Sequence, residues 1–311
     1  KPRRNIMSSK QPLLICVVGA TAIGKTSMAI KLAKAFDAEI ISADSRQFFK
    51  EMYIGTAVPS KEELNNAKHH FIQAKSIFED YSVGDFEREA ITFLDHYFRK
   101  KKIVIMVGGS GLYIDAVTKG LDNFPEVPSE IRNRLNFELA EKGIKTLQRE
   151  LKNVDPEYYK KVDIQNPHRL VRALEIHRAT GRPYSSFLKK EKSQRDFNTF
   201  FIGLTAGREL IYNRINLRVD KMMTDGLIDE AKSLLPFRDK NALQTVGYRE
   251  LFEYFDGNIS LEEAISEIKK NTRRFAKRQN TWFKKNEAIN WFDYDTKSSE
   301  IVDFIKEKNA L

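Results

Sequence analysis

The order of apolar and polar positions along the chain predicts a parallel sheet with helices on both faces. In the first third, short apolar stretches rich in β-formers alternate with helical patterns, as in strand–helix–strand units. The strands are predicted at 13–18, 39–42 and 103–107, and the helices at 26–36, 61–67 and 83–100. Open sheets of this class bind ligands at the carboxyl ends of their strands, so we expect the active site along that edge.

The pattern changes character after residue 121. Pro125, Pro128 and Pro156 separate long charged helical stretches with few strand signals. A further strand is predicted at 200–204, and the chain after Arg208 reads as almost wholly helical until a short apolar stretch near residue 291. We therefore expect an α/β fold of the P-loop NTPase type with an all-helical insertion: a core at 12–121 and 196–311, and an insertion at 122–195.

Composition narrows the class of protein. The 311 residues are 41% hydrophobic and 31% charged, typical of a globular protein, and no apolar run approaches the roughly 18 residues that span a membrane. One cysteine, Cys16, excludes a disulfide or a multi-cysteine zinc site and fits a reducing cytoplasm. The leader at 1–11 has no apolar signal segment, and Met7 is expected to be the native first residue. A formal charge of +10 suggests a polyanionic partner.

A phosphate-binding loop follows the first predicted strand. Its eight residues have the spacing that turns backbone N–H groups toward phosphate oxygens. They are Gly19, Ala20, Thr21, Ala22, Ile23, Gly24, Lys25 and Thr26. Lys25 supplies a mobile cation, the Thr26 hydroxyl can ligate Mg²⁺, and the following helix directs its positive end at the anion. The sequence therefore predicts a polyphosphate ligand.

Asp44 is placed at the end of the second predicted strand, beside this loop. Its carboxylate can hold Mg²⁺ through water or accept a proton from a nucleophile whose electrophile carries the bound phosphate. An Asp that merely caps the next turn is the alternative. Ser45 and Gln47 can orient Asp44 or hydrogen-bond a base edge, whereas Arg46 reads equally well as a solvated surface charge.

The third predicted strand ends in a glycine-rich turn rather than an acid. Residues 108–113 read GGSGLY, where an ATPase would place the carboxylate that positions its metal-bound water. This absence argues against ATP hydrolysis and favours phosphates that act as a leaving group. Ser110 adds a hydroxyl to the predicted site.

Two groups of cations complete the candidate chemistry. Arg214 and Arg218, spaced i,i+4, share a helix face and could both reach one diphosphate, although a surface pair is the commoner outcome of that spacing. A stretch at 268–286 contains eight cations and no acid on an amphipathic helix, which favours nucleic-acid contact. The cations are Lys269, Lys270, Arg273, Arg274, Lys277, Arg278, Lys284 and Lys285. The insertion adds Arg169, Arg172, Arg178, Arg182, Lys189, Lys190 and Lys192.

Together these motifs resemble those of the tRNA dimethylallyltransferase family, also called tRNA isopentenyltransferases. The resemblance spans nearly all of residues 13–292. Its motifs are GATAIGKT at 19–26, SADSRQ at 42–47, YIGTA at 53–57, YSVGDF at 81–86, VGGSGLY at 107–113, NPHRLVRALE at 166–175, QTVGYRE at 244–250 and TRRFAKRQ at 272–279. Ala20 and Ile23 depart from residues common in the family, and neither change removes a phosphate contact. The 311 residues contain no match to the zinc-binding extension of eukaryotic members, so we expect the bacterial type.

The resemblance implies transfer of a dimethylallyl group from dimethylallyl diphosphate to N6 of the adenosine 3′-adjacent to the anticodon. Asp44 is then the general base, Lys25 and Thr26 bind diphosphate and Mg²⁺, and Arg214 or Arg218 stabilises the departing diphosphate. The resemblance does not separate the two arginines.

The resemblance also implies a partner, the tRNA anticodon stem-loop, which the insertion is expected to grip. The residues expected to face tRNA are Ser45, Gln47, Arg169, Arg172, Gln244, Gly247, Tyr248, Arg249, Arg273, Arg274, Lys277, Arg278 and Gln279. No long apolar seam demands a second subunit, so we expect a monomer, and no membrane partner.

Three other functions stay open on the sequence. A transferase that prenylates free adenine nucleotides would share the site but would not need the basic helix. A P-loop kinase could also use Asp44 as a base, yet the acid-free third strand argues against it. An RNA-binding protein without catalysis would explain the charge but not the complete phosphate loop.

Overall fold

A computed structural model describes residues 11–188 and 193–311 of the chain. Most of the leader and the predicted RNA-binding cations Lys189, Lys190 and Lys192 lie outside the described residues. The chain divides into two compact units: the first reaches to Thr118 and resumes at Arg195–Leu311, and the second is Lys119–Gln194. The roles assigned to these units from the sequence stay predictions.

A six-stranded parallel sheet forms the first unit, in the order β3-β2-β4-β1-β5-β6. The strands are β1 (Leu13–Gly19), β2 (Ile40–Ser42), β3 (His69–His70), β4 (Ile103–Val107), β5 (Asn198–Thr205) and β6 (Ile289–Asp293). The predicted α/β class is confirmed. Since β5 pairs with β1 across the insertion, the sheet is completed only after the chain has returned at residue 195.

Every residue of β1 is buried, because both faces of the sheet are covered. Ile15 and Val17 pack into an apolar cluster with the helix that follows the phosphate loop, whereas Leu14 and Cys16 join a second cluster on the opposite face. Burial raises the pKa of the Cys16 thiol, which behaves as a core residue.

The helices of the first unit include the three predicted at 26–36, 61–67 and 83–100, with shifts of a few residues at their ends. They are α1 (Lys25–Ala35), α2 (Lys61–Asn66), α3 (Val83–Tyr97), α4 (Gly111–Lys119), then, after the insertion, α9 (Arg208–Thr224), α10 (Leu227–Leu234), α11 (Tyr248–Phe255), α12 (Leu261–Phe283) and α13 (Ser298–Asn309). Capping boxes at Ser60, Ser82 and Ser260 fix the starts of α2, α3 and α12. No helix in the described part of the chain is long and apolar enough to cross a membrane.

Within its described residues the second unit is all-helical, as predicted. Its helices are α5 (Ser129–Lys142), α6 (Ile144–Val154), α7 (Pro156–Tyr159) and α8 (Pro167–Thr180), followed by a 3₁₀ turn at Tyr184–Phe187. Leu135, Leu147, Leu151 and Leu174 are fully buried in a core of its own.

Two strands and the last helix escaped the sequence patterns. The two-residue β3 is too short to show an alternation, and the apolar stretch near Trp291 forms β6 at the sheet edge, so the last part of the chain is not purely helical. The carboxyl-terminal α13 packs Ile301 and Ile305 onto the same apolar cluster as α1.

Candidate active site at the carboxyl edge of the sheet

One cleft of about 210 Å³ opens at the carboxyl ends of the strands, where open sheets bind ligands. It brings together the phosphate loop, the segment after β2 and one face of α9. The predicted site residues that line it are Thr21, Ala22, Gly24, Lys25, Thr26, Asp44, Gln47, Arg218 and Gly247. Since these come from four separate stretches of sequence, the fold itself assembles the site.

The phosphate loop turns sharply before α1. Gly24 caps this helix with φ 106°, a left-handed conformation that L side chains adopt only with strain. Lys25 opens α1, and its Nζ donates to the Ala20 carbonyl oxygen at 2.7 Å. The loop therefore folds around its own lysine, which lines the cleft.

Burial lowers the pKa of Lys25 from the ordinary 10.5 to about 8. The Asp44 carboxylate acts in the opposite direction, and the Arg218 guanidinium adds to the lowering. The lowering comes mainly from the loss of water around the ammonium group, and an anionic ligand bound beside Lys25 would favour its charged form.

Asp44 is held by the backbone that follows it. Its Oδ1 accepts from the Arg46 N–H at 3.0 Å, and its carbonyl oxygen accepts from the Gln47 N–H at 3.0 Å. The side chain thus caps the following turn, as in the purely structural alternative, and also lines the cleft with Lys25. A partly exposed carboxylate fixed beside cations can accept a proton from a bound nucleophile.

The two candidate arginines have different surroundings. Arg218 lines the cleft, and its Nη1 donates to Thr21 Oγ1 at 3.4 Å; burial lowers its pKa, against the effect of Asp44. Arg214 donates to the Ile23 carbonyl oxygen at 3.4 Å and stacks 4.7 Å from the centre of the Tyr294 ring. Arg218 is therefore placed to meet a ligand, and Arg214 to support the loop.

Two buried nitrogens on the cleft lining have no hydrogen-bond partner among the described residues: Arg46 Nε and His69 Nε2. Arg46 is not the solvated charge that the sequence allowed, because its Nη2 donates to the carbonyl oxygens of Gly55 at 2.9 Å and Val246 at 2.8 Å. His69 Nδ1 lies 2.8 Å from the Ala67 carbonyl oxygen, and burial lowers the pKa of the ring. Sequence reasoning overlooked His69, since its strand has only two residues.

The hydroxyls near the cleft belong to a hydrogen-bonded group. Ser45 N–H donates to Ser110 Oγ at 3.1 Å, and the two Oγ atoms are also 3.1 Å apart. Gln47 Nε2 donates to the carbonyl oxygens of Thr56 and Ala57 at 3.1 and 2.9 Å. Ser110 thus lies beside the segment that carries Asp44, although it is not among the residues that line the cleft.

Among the residues expected to face tRNA, Gly247, Tyr248 and Gln279 are buried, and the last two have buried side chains. Tyr248 is fully buried, and its hydroxyl donates to Glu230 Oε1 at 2.6 Å. Gln279 is 6% exposed and bonded through both ends of its amide. These placements favour a positioning role for both side chains over direct contact. Gln244 and Arg249, by contrast, are exposed and line a second groove of about 430 Å³.

The cations of α12 fall into two groups. Lys269 pairs with Asp220 at 2.6 Å and Lys270 with Glu267 at 2.9 Å. Arg273 donates to Asn216 Oδ1 at 2.8 Å, so the first turns of the basic stretch are largely satisfied within the protein. The exposed cations lie further along: Arg274, Lys277 and Arg278 within α12, and Lys284 and Lys285 just after its last residue.

Within the insertion, two of the predicted surface arginines serve its own structure. Arg178 bridges Glu138 at 2.8 Å and Glu150 at 2.6 Å, and Arg172 pairs with Glu175. Burial acts to raise the pKa of Glu175, but hydrogen bonds from two arginines outweigh it and lower that pKa. Arg169 is exposed and remains available for a partner.

The donor set fits a magnesium ion of the kind that binds with its substrate. No three His, Cys, Asp or Glu side chains converge to hold a metal in the described parts of the chain. Thr26, Ser42 and Asp44 nevertheless place oxygen atoms on one cleft. Mg²⁺ typically keeps several waters and takes one or two protein oxygens plus phosphate oxygens, which matches this arrangement.

Fold and site together define an α/β protein with a phosphate-binding loop. Its cleft carries the carboxylate of Asp44 beside the loop that would bind an anion. A family model described as IPP transferase matches residues 47–286. The tRNA dimethylallyltransferase of Christiangramia forsetii is 61% identical, covering 95% of this chain and 98% of its own length; that of Flavobacterium johnsoniae is 57% identical, covering 94% and 97%.

Solved structures of similar fold belong to enzymes of the same kind. The full-length tRNA isopentenylpyrophosphate transferase of Bacillus halodurans has a TM-score of 0.72 at 38% identity, with 97% of both chains covered. A eukaryotic dimethylallyltransferase captured acting on tRNA has a TM-score of 0.78 at 26% identity, covering 95% of this chain and 80% of its own. This chain belongs to the IPP transferase family of prenyltransferases.

Proposed function

We propose that this chain transfers the dimethylallyl group of dimethylallyl diphosphate to N6 of the adenosine 3′-adjacent to the anticodon in tRNA, releasing diphosphate. One observation carries the proposal: the phosphate loop, Asp44 and Arg218 line a single cleft. A base beside a diphosphate site is what substitution at a carbon bearing that leaving group requires. The names of the relatives support the choice of donor and acceptor.

In the proposed reaction, the N6 lone pair forms a bond to the first carbon of the dimethylallyl group. The bond from that carbon to the diphosphate oxygen breaks, and its electron pair leaves with the diphosphate. Asp44 accepts the proton that N6 loses. Lys25 and Arg218 stabilise the charge that grows on the leaving oxygens, which lowers the barrier more than it favours the ground state.

The Thr26 hydroxyl would hold Mg²⁺ together with diphosphate oxygens. When bound, the ion would neutralise part of the leaving group's charge. The remaining roles belong to the chain itself: the backbone of the loop orients the diphosphate, and Asp44 accepts the proton from N6.

The acceptor adenosine must leave its stack to reach a cleft of this size. We propose that Ser45 and Gln47 meet it near Asp44, and that exposed Lys277, Arg278 and Arg249 contact the tRNA backbone. Arg169 would supply a contact from the insertion. The enzyme would work in the cytoplasm as a monomer, and light scattering of the purified protein would test the monomeric state.

The decisive experiment measures incorporation of labelled dimethylallyl diphosphate into unmodified tRNA, with AMP and ATP as competing acceptors. Wild type should label tRNA alone, and Asp44→Asn should lose about 10²- to 10⁴-fold in rate, the usual contribution of a general base. Asp196→Asn, a matched change at an exposed site, should behave as wild type. Label in a free nucleotide would instead favour the nucleotide prenyltransferase, and an undiminished Asp44→Asn would remove the proposed base.

A further inference from the structure

Gln279 joins three parts of the first unit through one side chain. Its Oε1 accepts from the Thr21 N–H of the phosphate loop at 2.8 Å. Its Nε2 donates to the Gly109 carbonyl oxygen, in the turn after β4, at 3.1 Å. Because Gln279 itself belongs to α12, a single buried amide ties this helix to both loops at the edge of the sheet.

The surroundings of this amide are built to fit it. A Cβ atom on Gly109 would lie 2.2 Å from Gln279 Nε2, so only glycine at 109 leaves room for the amide. Two positions away, a Cβ on Gly111 would lie 2.2 Å from the Trp282 ring of α12. The glycine-rich turn after β4 is therefore the surface on which α12 packs.

Thr21 is held from two sides. Its backbone N–H donates to Gln279, and its Oγ1 accepts from Arg218 Nη1 at 3.4 Å. Arg218 lines the cleft directly, whereas Gln279 does not. A phosphate loop binds through the directions of its N–H groups, so a hydrogen bond that fixes the loop backbone sets its affinity without touching the ligand.

We propose that Gln279 is a positioning residue that fixes the phosphate-binding loop for diphosphate through Thr21 and Gly109. The inference rests on the proposed function, because it takes diphosphate as the ligand of that loop. Gln279 then contacts only the protein interior, whereas its exposed neighbours Lys277 and Arg278 are available to contact tRNA.

The test measures the Kd of magnesium diphosphate by calorimetry for wild type, Gln279→Met and Gln279→Glu. Gln279→Met keeps the volume but removes both hydrogen bonds, and its Kd should rise about tenfold. Gln148→Met is the matched control: it also removes an amide that donates to a carbonyl oxygen, that of Ile164 at 2.7 Å, but lies in the insertion and should leave the Kd unchanged.

Gln279→Glu supplies a readout that mere packing would not move. A protonated Glu can accept from Thr21 and donate to Gly109, as glutamine does, whereas the ionised form would face the Gly109 carbonyl oxygen with a negative charge. Relative to wild type at each pH, Gln279→Glu should bind weakly at pH 8 and recover toward the wild-type Kd as the pH falls to 5.5. Gln279→Met should show no such recovery.

A Gln279→Met Kd within twofold of wild type would overturn the proposal, as would a Gln279→Glu that never improves on Gln279→Met at low pH. Failure of the proposed function looks different. In that case wild type would bind diphosphate, with the Gln279 effects intact, yet transfer no label to tRNA.

Discussion

Arg214 and Arg218 lie one turn apart on α9 and illustrate how much one turn changes. Arg218 reaches Thr21 Oγ1 on the cleft lining, and Arg214 reaches the Ile23 carbonyl oxygen and the Tyr294 ring. Both touch the phosphate loop, so spacing alone could not separate them. Their surroundings separate them, because Arg218 lines the cleft whereas Arg214 lies against the Tyr294 ring.

Replacing each arginine by lysine tests this division. Arg218→Lys keeps the charge but removes the fork that grips a diphosphate, so kcat/KM for dimethylallyl diphosphate should fall about 100-fold. Arg214→Lys should lower it less than tenfold while reducing the thermal stability. Equal losses in both variants, in steady-state kinetics with tRNA saturating, would contradict the assignment.

Lys25 gives a pH dependence whose sign is fixed by its lowered pKa of about 8. The free protein loses this charge as the pH rises through 8, and diphosphate prefers the charged form. Affinity for diphosphate should therefore decline above pH 8, and binding there should take up a proton. Calorimetry at pH 8.5 in buffers of different ionisation enthalpy measures that uptake; Lys25→Met should abolish it, and uptake that persists would exclude Lys25 as the source.

The same shift has an opposite consequence for folding. Between about pH 8 and the ordinary 10.5 the unfolded chain holds more protons at Lys25 than the folded one. Stability of the free protein should consequently gain from this group as the pH rises through that interval.

At the residue scale, the sequence predicted the cleft in outline. The loop at Gly19–Thr26 and Asp44 follow from motif spacing and strand ends, which are local properties. The contacts of Arg46 and Gln279 were not predicted, because their partners, Val246 and Thr21, lie 200 and 258 residues away in the chain. No pattern within a short window carries such information.

At the scale of the element, α12 is the clearest case of a correct helix with an incomplete account of its charge. Its periodicity predicted an amphipathic helix, and its acid-free stretch predicted a basic exterior. The structure brings Asp220 of α9 to Lys269, so part of the charge is neutralised by a helix some 50 residues earlier in the chain. The exposed cations of α12 lie beyond Arg273.

This division predicts unequal effects on tRNA binding. Replacing Lys277 and Arg278 together by glutamine should weaken binding and lower the dependence of log Kd on log salt by about one unit for each phosphate that is no longer neutralised. Replacing Lys269 by glutamine should leave the salt dependence nearly unchanged. Filter binding of unmodified tRNA between 50 and 200 mM salt measures both, and a larger slope change for Lys269 would refute the division.

At the scale of the whole molecule, the chain holds two cores. The first unit contains the sheet and every residue that lines the cleft, and the insertion packs its own leucines around α8. The sequence predicted the helical insertion from prolines and charge, but the edge strand β6 depends on pairing with β5 and could not be read locally.

Because the two units have separate cores, a substitution in the core of one unit should destabilise that unit alone. Leu147 is fully buried in the insertion, so Leu147→Ala should destabilise that unit by about 2–5 kcal/mol. The Kd of diphosphate should not change, because every group on the cleft lies in the other unit. Hydrogen exchange would locate the loss of protection and calorimetry would measure the affinity; a weakened Kd would mean that the units are energetically coupled.

The insertion leaves the first unit after Thr118 and returns at Arg195 as one uninterrupted stretch. A single in-frame exchange can therefore replace all of it while the strand order and the residues of the cleft keep their places. Over evolution, the enzyme can therefore change the RNA that it accepts and still use the same donor. Homologues should consequently diverge fastest between these two positions. Chimaeras joined there should take donor choice from the sheet, and from the insertion only the share of acceptor choice that its proposed contact Arg169 carries.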